Sequence, residues 1–160
     1  MAPSLHLIRH AHAGSRTDWT DDDELRPLSE RGEQQAAAIA AALADAGIDL
    51  LWTSRYVRCR QTLQPLAATL GRTVDDRTEL AEGAWGTDAL EVLLAAVGEG
   101  RTVAACSHGD VIPEIVAAAV RRGAELVGPS TPKKGARYEC DVADGRIVRL
   151  VAVAAPDRVR

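Results

Sequence analysis

Four side chains with useful chemistry stand just beyond apolar runs in this 160-residue sequence. Arg9 and His10 close Leu5-His6-Leu7-Ile8. Arg58 follows Leu50-Leu51-Trp52-Thr53, and His108 follows Val103-Ala104-Ala105-Cys106-Ser107. Two guanidinium groups and two imidazoles, converging without metal-ligand spacing, describe an anion site, most simply one for a phosphoryl group. Arginine meets phosphate oxygens with a planar, bidentate fork, and helix starts after the strands add backbone donors. The Gly-punctuated stretch Glu79-Leu80-Ala81-Glu82-Gly83 supplies a carboxylate, Glu79 or Glu82. Arg16 lies close enough behind Arg9-His10 to reach the same pocket. Lys134, with Lys133, is placed to contact a phosphate chain, although a solvated lysine pair is the commoner arrangement.

Such convergence requires strands that end side by side, because ligands in open α/β sheets bind beyond the carboxyl ends of the strands. The patterning supplies them. Leu5–Arg9, 50–53 and 102–106 read as buried strands, and 73–75 as a weak one. Between them lie helical patterns. Ser29 is a good N-cap for a helix carrying Ala36, Ile39, Ala40 and Leu43, with Gly47 as its stop. A second helix carries Leu63, Leu66, Ala67 and Leu70 and ends at Gly71; Pro65 inside it predicts a kink or a late start. In its basic opening, Arg55, Arg58 and Arg60, helical spacing turns Arg60 away from Arg58. A third helix holds Leu90, Leu93, Leu94 and Val97. A fourth holds Ile112, Ile115, Val116 and Ala119, with Asp110 as its cap and Pro113 in its first turn. Gly109 is expected to permit a sharp turn and close approach to a ligand. Asp144-Gly145 predicts a hairpin between 135–142 and 147–153, and residues 156–160 read as a frayed end. The expected fold is one α/β domain over residues 1–160: a three-layer α/β/α sandwich with a mostly parallel central sheet and a C-terminal hairpin.

Composition narrows the function. The net charge of -4 carries no general pull toward nucleic acid or anionic membrane. The aromatic content of 3%, with no Phe, argues against a base-stacking platform. Cys59, Cys106 and Cys140 fit neither a disulfide framework nor a zinc pattern. The longest apolar run, 36–44, is too short to span a bilayer. No signal-peptide pattern precedes the first strand, so a cytoplasmic protein with reduced thiols is expected. The acidic cluster Asp18, Asp21, Asp22, Asp23 and Glu24 shows no metal-ligand spacing and reads as a solvated surface loop. No metal and no cofactor are expected.

The ordered set of motifs resembles the histidine phosphatase superfamily, the branch containing phosphoglycerate mutases and small phosphohistidine phosphatases. The family's Arg-His-Gly corresponds to Arg9-His10-Ala11, and its Leu-Thr-x-x-Gly to Leu28-Ser29-Glu30-Arg31-Gly32. Its Ser-Pro-Leu-x-Arg-Ala-x-Gln-Thr corresponds to Ser54-Arg55-Tyr56-Val57-Arg58-Cys59-Arg60-Gln61-Thr62, and its Ser-His-Gly to Ser107-His108-Gly109. The resemblance implies a phosphoglycerate mutase-like sheet, with His10 as the nucleophile that becomes phosphohistidine. Arg9, Arg58 and His108 would hold the phosphoryl oxygens, and water would hydrolyse the intermediate. The proton donor, often in Leu-x-Glu, matches Leu80-Ala81-Glu82, with Glu79 as the fallback.

Ala11 stands for the family's Gly, Ala13 for a Thr hydroxyl, and Arg55 for Pro, and no insertion caps the site. These departures point toward small, open-site members. Arg9-His10-Ala11-His12-Ala13-Gly14-Ser15-Arg16, Val57–Thr62 with Pro65–Ala68, and Lys134-Gly135 are similar to the C-terminal phosphatase-like domain of mycobacterial MutT1-type Nudix hydrolases, here without a Nudix box. The expectation is a metal-independent phosphatase releasing phosphate from a phosphohistidine protein, a nucleotide or a small phosphomonoester. The competing expectation is a non-catalytic phosphate-binding or interaction module of the same fold. No nucleic acid polymer and no membrane are expected as partners, and the sequence carries no sign of oligomeric state.

Overall fold

The computed structural model describes residues 2–156; the end predicted to fray lies almost wholly outside them. One seven-stranded sheet runs through the molecule in the order β3-β2-β4-β1-β6-β7-β5. Its strands are β1 (Leu5–Arg9), β2 (Leu50–Thr53), β3 (Val74–Asp76), β4 (Val103–Ser107), β5 (Glu125–Val127), β6 (Arg137–Ala143) and β7 (Arg146–Val153). The four helices are α1 (Glu30–Leu43), α2 (Val57–Leu70), α3 (Gly86–Gly98) and α4 (Val111–Arg121). Strands β3, β2, β4 and β1 are mutually parallel, whereas β6 runs antiparallel to both β1 and β7. The hairpin is therefore built into the sheet beside β1. Beyond β7 lies β5, a parallel edge strand missing from the sequence reading; three residues following Gly123-Ala124 offer too short a period-2 pattern to recognise.

Alternation along the central strands sorts the core into two layers. Leu5 and Leu7 of β1, with Val103 and Ala105 of β4, face Leu90, Leu93, Ile112 and Ile115 of α3 and α4. Ile8, Ala104 and Cys106 point the other way, onto Ile39 and Leu43 of α1 and Leu63 and Leu66 of α2. Each fully buried Leu contributes about 1.5–3 kcal/mol through loss of apolar surface from water. The three-layer α/β/α expectation holds.

Local predictions were partly corrected. Ser29 caps α1, accepting from the Gly32 N–H at 3.1 Å. Gly32 is required for a separate reason: a Cβ there would lie 1.9 Å from the His12 carbonyl oxygen, where the segment leaving β1 crosses the helix start. Helix α1 ends at Leu43, before Gly47. Helix α2 runs through Pro65 without ending and closes on Gly71 in the left-handed conformation. Asp110 precedes α4 but makes no side-chain cap bond; its carboxylate instead accepts from the Gly83 N–H at 2.8 Å.

Candidate active site

The adjacent parallel strands β2, β4 and β1 bring their carboxyl ends to one point. Arg9 is the last residue of β1, and its NH1 donates to the Pro132 carbonyl at 2.8 Å. A Cβ at Gly109 would stand 2.7 Å from the Arg9 Cζ. Gly109 lies in the expected turn between β4 and α4, but its φ is not in the left-handed region, so what requires glycine there is the room it leaves for the Arg9 guanidinium.

His10 is 4% exposed. Its Nδ1 lies 2.8 Å from the Ala11 carbonyl oxygen. A carbonyl only accepts, so Nδ1 carries the proton and Nε2 keeps its lone pair. Burial, followed by His108, Arg58 and Arg9, lowers the imidazole to about 3; the Ala11 bond partly opposes this. At neutral pH the ring is uncharged.

His108 comes from the end of β4 and packs edge-on against His10, with ring centroids 5.5 Å apart. Its Nε2 meets Ser54 Oγ at 2.8 Å, which fixes the ring. Arg58, in the first turn of α2, is wholly buried, with the Tyr56 ring 4.9 Å from its Cζ. Arg9 Nε, Arg58 Nε and His108 Nδ1 are buried with no partner within the protein, as are both His6 nitrogens and Arg77 Nε at residues that do not line the cavity. Buried polar atoms are normally satisfied, and three orphans from three strand ends are what an anion-binding cradle requires.

Glu82 reaches the same place. Its Oε1 accepts from Arg16 NH2 at 2.7 Å and lies 3.6 Å from Arg58 NH2. The Glu82 loop is tied to the His108 segment at both ends, because Ser107 Oγ donates to the Leu80 carbonyl at 2.6 Å and Gly83 N–H to Asp110. Glu79 instead pairs with Arg77 at 3.8 Å and, unlike Glu82, is not among the residues lining the cavity. Lys134 is brought in because the Gly135 N–H bonds to the His10 carbonyl at 3.0 Å. Burial first, then Arg9, Arg26, Arg58 and Arg16, lowers its ammonium.

Arg9, His10, Arg16, Glu82, His108 and Lys134 line one cavity of about 270 Å³. Arg58 borders it through Glu82. Of the three arginines near α2, only Arg58 approaches Glu82, and it is not itself among the lining residues; Arg55 pairs with Glu24 and Arg60 with Asp76. Three charged residues at the site escaped the sequence reading, among them Asp110, which lines the cavity and was expected only as a helix cap. Arg26 lines the cavity although only 4% exposed. Asp23 bonds both Arg26 and Arg58 at 3.0 Å, so the acidic loop is not simply solvated surface. The available signal was an Asp-x-x-Arg pair beside Pro27-Leu28. A larger cavity of about 420 Å³ beyond β5 and β7 contains no His, Cys, Asp or Glu. Among the described residues no group of three or more His, Cys, Asp or Glu is placed to hold a metal ion, and no helix is long and apolar enough to cross a membrane.

The family pattern described as Histidine phosphatase superfamily (branch 1) matches residues 5–92. The chain belongs to this family. An 8-oxo-(d)GTP phosphatase of Mycolicibacterium smegmatis is 32% identical over 154 residues, covering 94% of this chain and 48% of the relative. The chain thus spans about half the length of that curated relative. A crystal structure of the proposed phosphohistidine phosphatase SixA from Agrobacterium tumefaciens matches at 28% identity and TM-score 0.63, over 75% of this chain and 78% of that one. A protein histidine phosphatase SixA complexed with tungstate shares the fold at TM-score 0.70 and 21% identity, over 89% of this chain and 91% of the other.

Proposed function

We propose that this histidine phosphatase domain, residues 1–160, hydrolyses phosphoryl groups through a phosphohistidine on His10. The observation that carries this reading is the His10 Nδ1 bond to the Ala11 carbonyl, which leaves Nε2 unprotonated on a residue that lines a cavity rich in cations. Nε2 attacks phosphorus, and the bond to the leaving oxygen breaks as Glu82 donates a proton to it. Arg9, Arg58 and His108 hold the three equatorial oxygens and stabilise their charge. Water then attacks phosphorus, Glu82 takes its proton, and the N–P electron pair returns to Nε2. Guanidinium groups supply the positive charge, so the route calls for no metal ion or cofactor.

Arg16 and Lys134, at the outer side of the cavity, are assigned to the remainder of the substrate. One relative is named for 8-oxo-(d)GTP and one structural neighbour for phosphohistidine. The substrate classes to compare are therefore a nucleotide, a phosphohistidine protein and a small phosphomonoester, in a cytoplasmic setting. His10→Ala is expected to abolish turnover of an aryl phosphate and of every active member of that panel, with the fold retained and the wild type unaffected by chelator. Rapid quench of the wild type should trap acid-labile phosphohistidine. Normal turnover by His10→Ala overturns the reading, and phosphate binding without any labelling of His10 makes the domain a binding module.

A further inference from the structure

Arg58 is a wholly buried cation, and a buried guanidinium needs both a counter-charge and hydrogen-bond acceptors. Both come from one residue. Arg58 NH1 donates to the Asp23 main-chain carbonyl at 2.8 Å, and NH2 to Asp23 Oδ2 at 3.0 Å. Two contacts from one residue grip one edge of a planar group and fix its rotation in the plane; Tyr56 covers a face. The Nε–H is left without a protein partner.

Asp23 is itself held. Its Oδ1 accepts from Arg26 Nε at 3.0 Å, and Arg26 NH1 donates to the Ala13 carbonyl at 2.7 Å. Arg16 Nε lies 3.6 Å from the same Oδ1. Burial disfavours the charged carboxylate, but Arg26, Arg58 and Arg16 together hold it below the usual carboxylate range. A continuous polar chain, Ala13–Arg26–Asp23–Arg58, thus ties the segment just after His10 to the arginine that faces it.

We propose that Asp23 is a positioning residue for phosphoryl transfer: by holding NH1 and NH2 it orients the Arg58 guanidinium so that the unpartnered Nε–H edge meets a phosphoryl group on His10. The proposal rests on the phosphohistidine reading above. It adds a function to a loop whose composition alone looks like solvated surface. The alternative role for the same contacts is a placeholder, an anion that occupies Arg58 until phosphate displaces it. The two make opposite predictions. A positioning carboxylate helps phosphate bind and react, whereas a placeholder competes with it.

The test is a double-mutant cycle on aryl phosphate turnover with Asp23→Ala, Arg58→Ala and the pair, each checked for folding by circular dichroism and thermal unfolding. Asp23→Ala is expected to lower kcat/KM by about 100-fold, the scale of a misplaced catalytic group. In the Arg58→Ala background the same change should cost less than about 3-fold, because Asp23 then has nothing to orient. Asp23→Glu should recover part of the loss. Inhibition by orthovanadate, which adopts the five-coordinate geometry, should weaken more in Asp23→Ala than inhibition by inorganic phosphate. Losses that add independently of Arg58, or tighter phosphate inhibition in Asp23→Ala, overturn the proposal. If His10→Ala abolishes turnover while Asp23→Ala leaves it unchanged, the positioning role falls and the phosphohistidine reading stands; if His10→Ala is fully active, that reading itself fails.

Discussion

Holding His10 neutral has a cost in stability that can be measured. The folded imidazole is lowered to about 3 from its ordinary value of 6.5. Below 6.5 the unfolded chain binds a proton that the native chain refuses, so ν_U exceeds ν_N and stability falls as pH falls. The loss sets in near 6.5 and levels off at about 3. Two pH units below 6.5, at about pH 4.5, it amounts to about 3 kcal/mol, a large share of the ~5–15 kcal/mol that holds a domain folded. His10→Gln removes the titration. Urea unfolding at neutral pH and at about pH 4.5, in buffer free of phosphate, should show the wild type losing about 3 kcal/mol more than the variant. His6, buried and lowered to about 4, acts in the same direction in both proteins and cancels from the difference. Parallel loss in wild type and variant would refute the claim that burial and the surrounding cations keep His10 neutral. The same shift requires that kcat/KM show no acid-side inflection from His10 near 6.5.

Glu82→Gln keeps the shape of the side chain and its acceptor for Arg16 but cannot deliver a proton; turnover of alkyl phosphates should fall by about 10²–10⁴-fold, and that of an aryl phosphate with a good leaving group much less. An equal loss across a leaving-group series would remove Glu82 from the acid role. Gly109→Ala puts a methyl group 2.7 Å from the Arg9 Cζ; displacing that guanidinium should cost about 100-fold in kcat/KM and weaken phosphate inhibition while circular dichroism stays native.

The sheet and the cavity were legible to different degrees, for physical reasons. Buried parallel strands announce themselves as short apolar runs, so β1, β2 and β4 and the residues at their ends could be read directly. Arg9, His10, Arg16, Glu82, His108 and Lys134 do line one cavity. Polar loop contacts left no such trace. Asp23 and Arg26 sit among acidic residues of similar composition, and only their three-dimensional contacts separate them from Asp21 or Glu24. Gly109 shows the same limit in another form: the sequence indicates that a side chain is missing, but not whether backbone freedom or space for Arg9 requires it. Glu79 and Glu82 lie three residues apart in one loop, and the bonds that tie the Glu82 end of it to the cavity are made with Ser107 and Asp110, far along the chain.

The departure at Ala13 also changes meaning in the structure. Read against the family's Thr, it removes a hydroxyl from the phosphate site. In the fold, the Ala13 methyl packs with Ala11, Leu28 and Ala36 in a small buried cluster, while its carbonyl receives Arg26 NH1. Position 13 therefore serves through its main chain, which any residue provides, and a small side chain suits the packing beneath it. The polar contribution is carried by Arg26, which lines the cavity and, through Asp23, is linked to Arg58. A charged guanidinium bonds an anion more strongly than a neutral hydroxyl does. With the missing hydroxyl, the loop between β1 and α1 adds Arg16 and Arg26 to the charge that Arg9 and Lys134 bring to the cavity, while the proposed nucleophile, His10, stands just beyond the end of β1.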